Sequence, residues 1–300
     1  MAKLDWRPWP LRTSWAVLPL VVGPLLAAAL DPHAADFRRG VSVGLWVIWA
    51  LTLVGTAVPR PLTLTLVRIV VPASCVAAVW AALVHGAHTN SAVGIVGAVV
   101  ATVCALLPTT GDAFADGASY GDERRFLLRP PGAYLLGPIE VAWAIVVAGT
   151  AGGPLLLLTH QWVAGAIVTV VGPLAAWRAW QSLHALSYRW LVFVPAGVVL
   201  HDALALAEPT LFARTDVVAL APAPADTKAL DLTANALGLA LQIDLTAPHI
   251  VGVVAPRSAR QRSAEQQSIS RLMFTPTRPG AVATEAHARK IGVPARSLGD

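Results

Sequence analysis

Six stretches of this 300-residue chain are apolar over lengths that match the hydrocarbon core of a bilayer: residues 15–30, 41–58, 62–84, 91–107, 133–151 and 155–177. About 20 residues of helix cover a core of about 30 Å, and a helix satisfies its own backbone hydrogen bonds there. Charged residues make up 13% of the chain, against about 25% in an ordinary soluble domain, so segments this apolar are not the parts of a water-soluble fold. The expectation is an α-helical polytopic membrane bundle of about six transmembrane helices. It occupies residues 1–189 and contains a long cytoplasmic loop at 108–132. The first segment has a second reading as a cleavable signal peptide, because Lys3, Arg7 and Arg12 precede it and Ala27, Ala28 and Ala29 close it.

The basic residues between these segments set an orientation. With the amino terminus inside, the inner segments hold Lys3, Arg7, Arg12, Arg60, Arg124, Arg125, Arg129, Arg178 and Arg189, and the outer loops hold Arg38 and Arg39. This bias places both termini in the cytoplasm, in the inner (plasma) membrane. Trp6, Trp9, Trp15, Trp177, Trp180 and Trp190 fall near the inner interface and Trp46, Trp49, Trp80 and Trp162 near the outer one, which leaves Trp143 in mid-span.

Two ionisable residues lie within spans. Counting about 1.5 Å per residue from the inner boundary puts Arg68 about 10 Å deep on the third span and Glu140 about 12 Å deep on the fifth. A charge at that depth needs a partner, water or room to snorkel, so the matched depths predict an Arg68–Glu140 pair, with snorkelling of Arg68 and a protonated Glu140 as the alternative. Cys75 and Cys104 fall at different depths on antiparallel spans and are expected to be packing residues, not a disulfide. Gly97, Ala101 and Ala105 share one face of the fourth span, where a neighbouring backbone can approach closely. Pro72, Pro138 and Pro173 are expected to bend or interrupt their helices, and Pro154 marks the boundary between the fifth and sixth spans.

The inner loop carries Asp112, Asp116, Asp122 and Glu123, then Arg124, Arg125 and Arg129. Asp112 and Asp116 are the spacing of one helical turn and form a candidate cation site, as in membrane enzymes acting on phospho-substrates. Arg124, Arg125 and Arg129 are candidate contacts to a phosphate or lipid headgroup. The favoured reading is plainer: arginines that anchor a surface loop to headgroups, and carboxylates that cap a turn. His33, His85, His88 and His160 lie in or near the outer loops without the spacing of a metal site, so no metal, cofactor or catalytic residue is assigned. The run at 119–131, with the Ala/Val-rich composition, resembles uncharacterised multi-pass membrane proteins of actinobacteria, a resemblance that implies no activity.

Beyond the last span, Trp177, Trp180, Leu183, Leu186 and Trp190 keep a helical spacing, and then the period shortens. Leu191 to Val194, a turn at Pro195, Ala196 and Gly197, and Val198 to Leu200 read as a hairpin, with further strands at 204–206, 217–220 and 237–245. Residues 190–254 are expected to form a small β-rich cytoplasmic domain whose shape resembles pleckstrin-homology-like (PH-like) modules. His201 and Asp202 read as turn residues. Residues 255–300, with Arg257, Arg260, Arg262, Arg271, Arg278, Arg289, Lys290 and Arg296 against Glu265, Glu285 and Asp300, are expected to be a disordered basic tail drawn to anionic lipid, its Ser268, Ser270, Thr275 and Thr277 open to phosphorylation.

Three function classes follow. The favoured one is an integral membrane scaffold or regulator, not an enzyme, whose β domain and basic tail meet anionic inner-leaflet lipids or an unidentified cytoplasmic or membrane protein. Nucleic acid is an unfavoured partner, because the tail lacks interleaved aromatic residues. The alternatives are a small-solute or ion transporter using Glu140 and Arg68, and a membrane-embedded enzyme on a lipid or phospho-lipid substrate using Asp112, Asp116, Arg124 and Arg125.

Overall fold

A computed structural model describes residues 5–85, 89–254 and 264–292. Lys3, His88, Arg257, Arg260, Arg262, Arg296 and Asp300 lie outside the described residues. The chain divides into two compact units: one of residues 1–117 and 139–184, the other of residues 118–138 and 185–300.

The first unit is helical: α1 (Trp9–Leu30), α2 (Ala35–Ala57), α3 (Pro61–His85), α4 (Thr89–Leu106), α5 (Pro108–Asp116), α6 (Pro138–Leu158) and α7 (Trp162–Leu186). Five of these helices are long and apolar enough to cross a membrane, and α4 with α5, bent by 52°, makes a sixth if the pair is one span. Three of them open on a proline, at Pro61, Pro108 and Pro138, where the missing N–H is one that no helix uses. Pro138 therefore starts its helix and does not interrupt it. Pro154 lies inside α6, which runs on to Leu158, so the expected boundary there moves to the turn before Trp162. Pro72 and Pro173 also lie within continuous helices.

Helices α2 and α4 pack with small and polar residues inward. In α2 the buried residues are Thr52, Gly55 and Thr56, while Trp46, Val47, Leu51 and Val54 are exposed. A soluble helix does the reverse, so the apolar face of α2 is turned toward a non-aqueous surround. In α4, Ala98, Ala101 and Ala105 are fully buried, and a Cβ added at Gly97 would lie 2.7 Å from Val21 of α1. The close neighbour that the small-residue face anticipates is thus α1 of the same chain. The same helix buries Leu11, Trp15, Leu18, Val22 and Leu25, which makes it a structural member of the bundle. The Trp15 indole donates to the Trp49 carbonyl and the Trp49 indole donates back to the Trp15 carbonyl, both at 3.0 Å. Trp143, unexplained by an interfacial belt, donates to the Ile69 carbonyl of α3 at 2.9 Å. Cys75 and Cys104 are free, and the Cys75 sulfur lies 3.1 Å from the Thr102 hydroxyl.

The second unit holds two four-stranded sheets and one helix. The first sheet has the order β1 (Arg124–Leu127), β2 (Trp190–Val194), β3 (Gly197–His201), β4 (Thr210–Ala213), all antiparallel. The expected hairpin is β2–β3. Gly197 at its turn has φ +155°, and a Cβ there would sit 2.1 Å from the Phe212 carbonyl oxygen, so only glycine fits. The second sheet runs β5 (Val217–Pro222), β7 (Leu241–Val254), β8 (Ala264–Phe274), β6 (Leu230–Asp231). Helix α8 (Pro279–Ala288) follows. One core joins the sheets and helix: Phe126, Leu191, Phe193, Leu200 and Phe212 from the first, Leu220, Ile243, Leu272 and Phe274 from the second, and Val282 and Ala286 from α8.

Two expectations are corrected here. Strand β1 comes from the long inter-helix loop, so the β unit is not confined to residues after the last span. Arg124 pairs with Phe193 and Leu127 with Trp190 across an intervening α6 and α7. The second correction concerns the tail: Ala264–Phe274 is a strand paired along β7, and Pro279–Ala288 is a helix, where disorder was expected. Ile269, Leu272, Phe274, Val282 and Ala286 suffice to bury one face of each element, although the basic composition around them resembles that of an unfolded segment. Thr275 is buried, so it is not open to a kinase in the folded unit, and Thr277 donates to the Leu127 carbonyl. Residues 204–206 are a turn joined to β7 by one bridge, and 237–240 precede β7 without joining it.

Candidate functional site

In the helical unit the polar residues gather where α4 breaks. Pro108 has no N–H to give the Cys104 carbonyl four residues back, and the Thr110 hydroxyl donates to that carbonyl at 2.8 Å instead. The chain then turns into α5, whose Thr110 to Ala115 are all buried. At its end a Cβ on Gly117 would lie 2.3 Å from the Pro59 carbonyl oxygen, so the α2–α3 turn closes over it.

Within that buried segment Asp112 is wholly enclosed and acts electrostatically on Arg68 of α3, whose Nε is buried without a hydrogen-bond partner. Two residues that the sequence assigns to different sites thus act on one another electrostatically. Glu140, the expected partner of Arg68, is exposed in the first turn of α6. Asp116, one turn after Asp112, accepts from Arg7 at 2.9 Å, and Arg7 also holds Asp5 at 2.7 Å. Burial lowers the affinity of Arg7 for its proton, but the bonds to Asp5 and Asp116 raise it by more. Of the candidate cation site, Asp116 is thus held by a guanidinium from another segment, and Asp112 feels the charge of one. Nearby, the Thr65 hydroxyl lies 2.8 Å from the His184 Nδ1. Among the described residues no group of three or more His, Cys, Asp or Glu is placed to hold a metal ion.

The β unit has its own buried ion pair, not legible in the sequence. Arg189 and Asp202 are each about 1% exposed and meet in two parallel bonds of 2.8 and 2.7 Å, and a third Arg189 nitrogen donates to the Arg129 carbonyl at 2.7 Å. Asp202 also accepts from the Leu204 backbone N–H. This pair ties the start of β2 to the end of β3 and to the segment that follows β1, so Asp202 is both the turn residue expected, its carboxylate and carbonyl accepting from Leu204 and Ala205, and a buried anchor. The remaining loop arginines have local roles. Arg125 pairs with Glu123 at 2.9 Å and lies over the Trp190 ring, Arg124 lies over the Phe126 ring, and Arg129 keeps its Nε buried without a partner. The Arg125 guanidinium holds the Glu123 carboxyl below its ordinary range.

A concavity of about 270 Å³ opens in the β unit between the β2–β3 turn and the end of α8, lined by Val194, Pro195, Arg214, Arg289, Lys290 and Ile291 among others. Arg289 is tied to Glu285 at 2.6 Å and to the Asp122 carbonyl, while Arg214 and Lys290 are exposed. Three cations from the β4–β5 connection and the end of α8 thus share one hollow, which the sequence gives no means of grouping. The chain matches no protein-family model, no curated protein and no solved structure.

Proposed function

We propose that the chain is an integral scaffold or regulatory protein of the inner (plasma) membrane, with both termini cytoplasmic, that presents a PH-like β unit to a cytoplasmic partner. The observation that carries this reading is the pairing of β1 with β2. These strands flank α6 and α7, so the helix pair leaves the β unit and returns to it, and with the entry from α5 three covalent connections link the unit to the helices. A β unit assembled from segments on both sides of a helix pair is not a terminal appendage, which favours its use as a presented recognition surface. Two four-stranded sheets sharing one core with a C-terminal helix support the PH-like reading.

The partner this surface suits is an acidic protein segment, received in the hollow at Arg214, Arg289 and Lys290. The test is site-specific photocrosslinking from residue 195 in native membranes, with Arg214→Glu/Lys290→Glu as the comparison. The adduct is expected to be lost on charge reversal and to persist in a Leu211→Ser control. An adduct unchanged by the double reversal would remove the reading.

A transporter has one specific observation in its favour, the break between α4 and α5 at the buried Asp112, which acts electrostatically on the half-buried Arg68. Solute uptake abolished by Asp112→Asn in a folded protein would support it over the scaffold.

A further inference from the structure

One surface of the β unit combines exposed apolar side chains with a poorly satisfied cation, and it adjoins the point where the chain enters α6. The loop between β6 and β7 exposes Leu237 (67%) and Leu239 (53%). It is a built loop. The Thr233 N–H bonds to the Asp231 carboxylate at 2.8 Å, the Ala236 N–H bonds to the Thr233 carbonyl, and Ala234 and Asn235 both hold positive φ, of 51° and 55°. Two successive non-glycine residues in that region are costly and persist where the surroundings dictate them.

What dictates them is the segment leading to α6. A Cβ on Gly132 would lie 2.3 Å from the Asn235 carbonyl oxygen, and one on Gly238 would lie 3.0 Å from the Arg129 guanidinium carbon. The loop therefore rests on residues 129–132, with the Arg129 guanidinium beneath Gly238. Gly132 opens a short 3-10 turn, Gly132–Leu135, and beyond it Leu136 is 86% exposed, two residues before Pro138 begins α6. Single exposed leucines are ordinary, but two such segments in contact beside the start of a membrane-length helix are a surface for the boundary between headgroups and acyl chains.

We propose that Leu237 and Leu239 enter the bilayer interface and that Arg129, below the loop, contacts an anionic headgroup. Continuity with α6 selects lipid as the occupant, and the side chain of Arg129, half-buried and held by no carboxylate among the described residues, selects the sign of its charge. The inference rests on the membrane placement proposed above but not on any protein partner.

The experiment uses the full chain in lipid nanodiscs, with Cys75→Ser and Cys104→Ser removing the native thiols. An environment-sensitive fluorophore is attached through Leu237→Cys, Leu239→Cys or, as a control on β7, Ile250→Cys. Expected are blue-shifted emission and several-fold stronger quenching by spin-labelled lipid at 237 and 239 than at 250. Quenching at 237 should also be stronger in phosphatidylglycerol than in phosphatidylcholine, and Arg129→Gln should abolish that difference. Water-like emission at both loop positions would overturn the proposal, as would blue-shifted emission that lipid quenchers do not reach, since that result means burial against protein. Equal quenching in the two lipids would overturn the role of Arg129. Failure of the photocrosslinking test above would leave all these readouts unchanged, so the two ideas fail separately.

Discussion

The helical unit and the β unit turn their apolar residues in opposite directions. Helix α2 exposes Trp46, Val47, Leu51 and Val54 and buries Thr52 and Thr56, whereas the β unit buries Phe193, Leu200, Ile243 and Phe274 completely and leaves charged residues such as Arg214 and Lys290 outside. In the first, α2 and α4 meet their neighbours through small residues and a few hydrogen bonds, as expected where an apolar surround gives little hydrophobic drive to associate, while α1 adds buried Leu11, Trp15 and Leu18. In the second, removal of apolar surface from water holds the sheets together. The two units also handle charge differently. The β unit encloses one bidentate pair, Arg189–Asp202, with each side chain about 1% exposed, while the helical unit distributes carboxylates near its α4–α5 break, where Arg7 and Asp116 are each about 11% exposed.

This contrast is most sharply tested at the enclosed pair. Arg189→Met leaves Asp202 buried and uncompensated, at an expected cost of about 3–5 kcal/mol, read as lost hydrogen-exchange protection in β2 and β3. Because a buried pair contributes little over an apolar replacement, Arg189→Met/Asp202→Leu should restore most of the protection. A double variant as damaged as the single one would show that the geometry around the pair, not the charge, holds the hairpin.

A smaller effect is expected from helix contact. A Cβ at Gly149 of α6 would lie 2.5 Å from the Gly172 carbonyl oxygen of α7, whereas one at Gly152 would meet Val168 at an ordinary 3.5 Å. Gly149→Ala should destabilise by about 1–3 kcal/mol through overpacking. Gly152→Ala should be nearly neutral, and thermal melts of the detergent-solubilised protein distinguish the two.

Next comes the partly exposed cluster. Asp116→Ala removes one of two carboxylates from Arg7 and leaves Asp5 in place, so a loss of about 1 kcal/mol is expected in the same melts. A loss as large as that of Arg189→Met would make the clusters equivalent and remove the distinction.

The smallest effect is a titration. Glu123 is held below its ordinary range chiefly by the Arg125 hydrogen bond, with burial opposing it. Its folded pKa lies below its unfolded one, so the contribution to stability is present at neutral pH, and it is lost as pH falls through the folded value. NMR titration of the Glu123 carboxyl in Arg125→Gln should move its midpoint upward toward the ordinary carboxylate range. An unmoved midpoint would mean that Arg125 is not the cause.

How far the sequence led depends on the range of the interactions involved. The membrane-length helices follow from local composition, and the β2–β3 hairpin follows from the turn at Pro195, Ala196 and Gly197, since each is decided by residues close in the chain. Strand β1 was illegible because its partner β2 lies beyond two long helices, and four residues without a nearby mate read as a loop. Strand β8 was hidden in a different way: its pairing with β7 shifts register between Asp244 and His249, which breaks the alternation that marks a strand. The electrostatic coupling of Arg68 to Asp112 had no local signal either. Depth along a helix pointed to Glu140, but the bend at Pro108 carries Asp112 back into a buried position.

By itself, then, the sequence determined which segments shun water and where one tight hairpin turns, because these depend on the free energy of individual residues and their immediate neighbours. Only the tertiary structure decided that the loop after α5 belongs to a sheet, that the basic C-terminal residues close a core, and which arginine faces which carboxylate. Those outcomes are set by contacts between residues far apart in the chain, whose energies exist only once the backbone has brought them together.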